Sequence, residues 1–199
     1  MKTLSRILFV LLLAVLASLF LSCSNKEKNG GGGGTRFPWY FFPADNEISG
    51  WVKVGASENV DATPELWDLI DGEAQVYIDC GFSSCGRQVY QGSIAGSPVE
   101  IRYFYIYDQG SDSNAALLYN DARSGTGSPW TDDPAGAAAR INDYGLDSYT
   151  IDFYQSKYFA KLTILKKNAE ALAIAKIFCH NVSNEISGTL TTTRLPSGE

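Results

Sequence analysis

The chain has 199 residues, with 16 Lys and Arg against 22 Asp and Glu, a net charge of −6, and no basic cluster. That length supports one domain with a real core. The charge excludes sequence-independent nucleic-acid binding, which needs cations set against phosphates, so no nucleic-acid partner is expected.

Lys2 and Arg6 bracket the start of an apolar run over residues 7–21, and Ser22 and Cys23 follow it. A basic start, a short apolar core and a small residue before the cut describe a secretory signal peptide over residues 1–22. The run is shorter than the roughly 20 residues that a membrane-spanning helix needs. Phe20-Leu21-Ser22-Cys23 resembles the bacterial lipobox, with Phe20 standing where the motif prefers Leu. The resemblance implies that Cys23 is lipidated and becomes the new N-terminus, with the membrane as a partner through its lipid. In such lipoproteins the residue after the cysteine directs sorting. Ser24, which is not Asp, implies a lipid-anchored protein of the outer membrane facing the periplasm.

Residues 23–35 contain five consecutive glycines. Ordering them costs too much entropy, so a flexible tether is expected between the anchor and the domain. Loss of residues 1–22 removes two bases and no acid, which takes the charge from −6 to −8. Such a surface disfavours lying flat on anionic lipid and leaves attachment to the acyl chains.

A globular domain is expected over residues 36–188, followed by a flexible tail over 189–199. Residues 36–50 are aromatic and punctuated by Pro38 and Pro43, which favours extended packing against the domain edge. A short strand is expected over 51–54 and a loop through Asn59 and Asp61. Residues 63–82 read as one helix. Thr63 caps it, Pro64 suits its first turn, and Leu66, Leu69, Ile70, Ala74, Tyr77 and Ile78 form its inner stripe. Gly81 supplies the left-handed stop.

Strands are expected over 87–91 and 99–108. Strict alternation in the second puts Val99, Ile101, Tyr103, Tyr105 and Tyr107 on one face and Glu100, Arg102, Phe104 and Ile106 on the other. A helix capped by Ser111 or Asp112 covers 113–123, and residues 124–139 read as a loop that holds Trp130. A hairpin pairs 148–154 with 158–166. The last helix runs from 168 to about 186, with Leu172, Ala175, Cys179, Val182 and Ile186 inward. Short hairpin links and this element order predict a single α+β domain, a mainly antiparallel sheet with about three packed helices.

The run Leu69-Ile70-Asp71-Gly72-Glu73-Ala74, with Tyr77 and Gly81-Phe82 after it, resembles a family of bacterial secreted proteins catalogued as a domain of unknown function. That family carries an I-N-G-G-A-E-like pattern at this point; this chain has Asp71 and Glu73 where the pattern prefers Asn and Gly. The resemblance implies an extracytoplasmic single domain over about residues 51–186 and adds no activity.

Catalytic signatures are sparse. His180 is the only histidine, so a histidine-based metal cluster is not expected. There is no G-x-S-x-G turn, P-loop, dinucleotide fingerprint or haem-attachment motif, and no cofactor is expected. Asp108, Asp112 and Asn114 lack the calcium-loop spacing, and helix capping accounts for Asp112. With Cys23 lipidated, Cys80, Cys85 and Cys179 remain for an oxidising compartment. Cys80 with Cys85 closes a short loop and is the favoured disulfide, with Cys85–Cys179 as the alternative.

The chain therefore reads as a non-catalytic binding module of the cell envelope, taking an envelope protein or a small ligand. Its candidate contacts are Trp39, Phe41, Tyr103, Tyr105 and Trp130. One alternative is a carboxylate-based hydrolase of glycan or peptidoglycan that uses Glu73 and Asp79, which must then converge in one cleft. The other is a structural envelope component.

Overall fold

The computed structural model describes residues 36–188. The expected signal peptide, the expected lipidation at Cys23, the expected tether and the expected C-terminal tail all fall outside them. Among the described residues the fold is α+β, with one seven-stranded sheet in which every neighbouring pair is antiparallel.

In chain order, a 3-10 turn (Pro38–Phe41) leads to β1 (Val52–Val60), α1 (Thr63–Ile70), α2 (Ala74–Asp79), β2 (Ser84–Ile94) and β3 (Ser97–Asp108). Then come α3 (Asp112–Asn120), β4 (Ser128–Pro129), β5 (Ala138–Asn142), β6 (Tyr149–Gln155), β7 (Tyr158–Ile164) and α4 (Ala169–Ser187). The sheet order is β1-β2-β3-β7-β6-β5-β4. Two meanders, one on each side of α3, are thus joined where β7 pairs with β3.

Helices cover both faces. Ala171, Ala175, Phe178, Cys179 and Val182 of α4 pack with Tyr90, Ile101, Phe104, Ile151, Phe153 and Leu162 in the larger core. Phe41, Phe42 and Trp51 join that core from the N-terminal segment, so part of the aromatic stretch packs as expected, but through a 3-10 turn over Pro38–Phe41 and not as extended chain, while Phe37 and Tyr40 stay exposed. On the opposite face Leu66, Ala74, Val76, Tyr77 and Leu118 of α1–α3 pack on Cys85, Tyr107 and Phe159. Caps fix the helix starts: Asn114 N–H donates to Ser111 Oγ at 3.2 Å and Ala171 N–H to Asn168 Oδ1 at 2.8 Å.

Four departures from the sequence reading have physical causes. The stretch 63–82 is two helices, because Asp71 (φ 42°) and Gly72 (φ 88°) adopt left-handed backbone and end α1 at Ile70. Gly72 takes that conformation without a Cβ clash. The cap position falls on Ala62 with no side-chain bond, while Thr63 and Pro64 occupy the first turn. Second, β1 continues to Val60 past an irregularity between Val54 and Glu58. Gln88 supports that irregularity, accepting from Ser57 Oγ at 2.6 Å and donating to Val54 O at 3.4 Å.

Third, β3 carries a bulge. Ile101 pairs with Ile164 and Tyr103 with Thr163, which leaves Arg102 without a register partner. One extra residue flips every side chain beyond it. Val99 and Ile101 therefore share the α4 face with Phe104 and Ile106, and Tyr105 and Tyr107 turn to the other core. Fourth, the stretch 124–139 includes β4 and the start of β5, with Trp130 N–H donating to Ala139 O at 2.9 Å.

Candidate functional site

The face that carries α1–α3 is built of three cross-strand rows, and their chemistry changes from one to the next. The first row, Val60-Cys85-Tyr107-Phe159-Tyr154, runs through five adjacent strands in register and is apolar. It lies under the helices, with Tyr77 of α2 stacked on Tyr107 at 4.1 Å between ring centroids. The next row runs Glu58-Arg87-Tyr105-Lys161-Asp152-Arg140 through six strands. Tyr105 is its one uncharged member. The third row, Tyr103-Thr163-Thr150-Asn142, is polar, and Thr150 and Thr163 share a hydroxyl hydrogen bond at 2.8 Å.

Helix cover ends over the middle row, and a cleft of about 380 Å³ opens there. Arg87, Tyr103, Tyr105, Lys161 and Thr163 form its floor. Leu69, Ile70, Asp71 and Glu73, from the end of α1 and the turn to α2, form its wall. The break in the predicted single helix is what brings Asp71 and Glu73 to the cleft. The volume sits near the lower end of the 300–1,000 Å³ typical of small-molecule sites.

Each floor group has a defined state. The rings of Tyr103 and Tyr105 are parallel to within 5°, with centroids 6.3 Å apart, and the Arg87 guanidinium lies 5.8 and 5.9 Å from them. Arg87 Nη1 donates to both oxygens of Glu58 at 3.1 Å. Burial pushes the Tyr105 phenol up to about 12 against the opposing pull of Arg87, so it is a neutral donor at physiological pH. The Lys161 ammonium makes no hydrogen bond or contact ion pair among the described residues. Its register neighbour Asp152 is bonded to Arg140 Nε at 2.9 Å instead. Arg140 also donates to Tyr119 O at 2.7 Å and to Ser124 Oγ at 3.0 Å. Burial raises the Asp152 carboxyl above the ordinary carboxylate range, with Lys161 and Arg140 pulling the other way.

The five aromatic candidates do not form one site. Tyr103 and Tyr105 meet in the cleft. Phe41 is buried in the larger core, edge-on to Tyr158 at 4.9 Å. Trp39 is half-buried and stacks on Phe37 at 4.5 Å. Trp130 is buried, donates to Asp132 O at 2.6 Å and meets His180 edge-on at 5.0 Å.

Glu73 lines the cleft, but Asp79 is not among its lining residues. Asp79 accepts from Gln75 Nε2 at 2.8 Å and pairs with Arg123 at 2.9 Å, and those bonds hold its carboxyl below the usual range. The ionisable groups facing Glu73 from the sheet floor are cations and phenols. Asp108 is likewise engaged, accepting from Gly110 N–H at 2.8 Å and from Lys157 Nζ at 2.5 Å. No group of three His, Cys, Asp or Glu among the described residues is placed to hold a metal ion. Cys80, Cys85 and Cys179 are buried free thiols, the first two in the same core cluster.

Arg87, Lys161, Thr163, Asp71 and Tyr77 are cleft residues that sequence reasoning did not propose as contacts. Their signal is register across three strands, β2, β3 and β7, and a helix break, and periodicity along one segment does not carry it. No protein-family model, curated protein or solved structure matches the chain.

Proposed function

We propose that this chain is a lipid-anchored protein of the cell envelope whose domain binds a small ligand without transforming it, at the cleft over Tyr103, Tyr105 and Lys161. The observation that carries the binding reading is the middle row of the sheet. Within that row Arg87 is paired with Glu58 and Arg140 with Asp152, which leaves Lys161 as the cation without a contact ion pair among the described residues. Here Arg87 and Lys161 flank a neutral phenol at the point where the helix cover stops, with parallel tyrosine rings beside them. Concave, partly aromatic sites with a few convergent polar groups are the usual form of ligand sites.

The envelope reading rests on the Phe20-Leu21-Ser22-Cys23 run, with Cys23 as the acylated residue. Among the described residues no helix is long and apolar enough to cross a membrane. A hydrolase would require a second carboxylate across the cleft from Glu73, and the floor presents cations there. That balance favours binding over bond cleavage.

Native mass spectrometry of the exported chain, purified gently from membranes, tests the ligand. A bound mass is expected in the wild type, with its loss in a Tyr103→Ala, Lys161→Gln double variant. A bare protein in both cases, or the same mass retained in both, defeats the cleft as the site. Fractionation tests the anchor: Cys23→Ser should move the protein from the membrane to the soluble fraction.

A further inference from the structure

The charges around the cleft are segregated by sign. Both acids, Asp71 and Glu73, stand on the wall, and both cations, Arg87 and Lys161, stand on the sheet floor. The wall acids are exposed and make no hydrogen bond or contact ion pair among the described residues, and neither does the Lys161 ammonium. Opposite charges lining one small volume leave potential of both signs there, the positive part resting chiefly on Lys161 because Arg87 is already paired with Glu58. A simple anion would meet the two wall carboxylates, and a simple cation would meet Lys161 and Arg87. A ligand that carries both charges satisfies both sides.

We infer that the cleft takes a zwitterionic amino compound, with its carboxylate toward Lys161 and Arg87, its ammonium toward Asp71 and Glu73, and its body on the Tyr103 and Tyr105 rings. This rests on the cleft being a ligand site, as proposed above. The cleft volume of about 380 Å³ suits one amino acid or a short peptide end more than a polymer segment. The two parallel, stacked rings give an aromatic contact that suits an aromatic or large aliphatic side chain. The neutral Tyr105 hydroxyl, on the strand between Arg87 and Lys161, adds a donor among the floor cations.

The test is isothermal titration of the full chain, in mild detergent, with phenylalanine, N-acetylphenylalanine and phenylalanine amide. Phenylalanine is expected to bind. Each derivative, having lost one charge, should bind at least about tenfold more weakly, the loss of one charge-assisted hydrogen bond. Lys161→Gln should weaken phenylalanine by a similar factor. An Asp71→Asn, Glu73→Gln variant should weaken phenylalanine while strengthening N-acetylphenylalanine, because the acids that repel a bare anion are gone. A merely structural role for these residues would not produce that exchange.

Equal affinity for phenylalanine and either derivative overturns the dipolar assignment. If the tighter derivative is then lost in Tyr103→Ala, the cleft stands as a binding site of a different class. Failure of all three probes overturns the assignment as well, and a bare protein in native mass spectrometry would take the cleft reading with it.

Discussion

Lys161 of β7 stands directly opposite Asp152 of β6, yet the Asp152 carboxylate is bonded to Arg140 on its other side, at 2.9 Å. One acid thus lies between two cations and is hydrogen-bonded to only one, and its Oδ1 has no partner among the described residues. Asp152 is 2% exposed, so its charge depends on Arg140 for compensation. Removing one partner of a buried pair costs about 3–5 kcal/mol, chiefly because the other charge is stranded. Arg140→Met should therefore destabilise the domain by about that amount at neutral pH, read from urea denaturation. Asp152→Asn should cost much less, since the amide oxygen can still accept from Arg140 Nε. A small loss in Arg140→Met as well would show that Asp152 is not charged in the native protein.

The same pair sets a pH dependence. Burial raises the Asp152 carboxyl above its unfolded value, so between those two values the native state holds a proton that the unfolded chain has released. Stability then falls as pH rises through that window. The contribution of Asp152 is fully present below the unfolded value of about 3.9 and is lost as pH passes the folded one. Wild type minus Asp152→Asn, measured as denaturation midpoints over an acidic to neutral series, should show this downward slope. In Arg140→Met the slope should be steeper and extend to higher pH. A flat difference curve would mean that Arg140 and Lys161 together cancel the burial.

Gly92 of β2 lies under the ring of Trp51, where an added Cβ would come within 2.4 Å of the indole. Trp51 is buried and packs edge-on against Phe178 of α4 at 5.5 Å. The ring has little room to retreat. Gly92→Ala should cost about 1–3 kcal/mol, the usual penalty for overpacking. Unfolding by urea gives the loss, and near-ultraviolet circular dichroism should report a changed tryptophan environment. An unchanged spectrum together with unchanged stability would mean that Trp51 has an alternative seat.

The turn between α1 and α2 carries its strain at two consecutive residues, Asp71 and Gly72, both with positive φ. A side chain at Gly72 meets no neighbouring atom within 4 Å, so its cost is conformational and not steric crowding. Gly72→Ala should destabilise by about 1–2 kcal/mol, the penalty of left-handed backbone for an L-residue. Asp71→Asn should be nearly neutral in stability, because Asn tolerates that region well. Denaturation of the two variants side by side checks the pair. A stabilised Gly72→Ala would mean that the chain prefers the continuous helix that its apolar periodicity suggests.

That turn marks where the sequence was legible and where it was not. The stripe of Leu66, Ala74 and Tyr77 does face a core, as its spacing requires, and the inward residues Ala175, Cys179 and Val182 of α4 follow a three- and four-residue step without interruption. Alternation in β6 and β7 likewise places Ile151, Phe153, Leu162 and Ile164 inside. Each of those patterns is local. The bulge at Arg102 is not, because one unpaired residue leaves the composition of β3 unchanged while exchanging its faces. Tyr105 was visible as a candidate, but its neighbours Arg87 and Lys161 come from strands 18 and 56 residues away in sequence. Their meeting depends on pairing that no single segment encodes.

Cys80 and Cys85 remain the pair proposed for oxidation in an oxidising compartment. Cys80 follows α2 as its C-cap, Cys85 sits on β2 between Val60 and Tyr107, and both belong to the core under α1–α3. Burial pushes both thiols up, which suppresses the thiolate that exchange chemistry needs. The folded protein should thus be slow to oxidise or to react with thiol reagents, and the bond should form before the core closes. Alkylation under denaturing conditions without reductant distinguishes the cases. Exported protein should take label at Cys179 alone and yield a peptide joining Cys80 to Cys85 that is lighter by two hydrogens. Protein held in a reducing cytosol should take label at all three. Labelling of all three in exported protein, or a Cys85–Cys179 linkage, would overturn the pairing. In the first of those cases the thiols act only as small apolar packing groups beneath the helices.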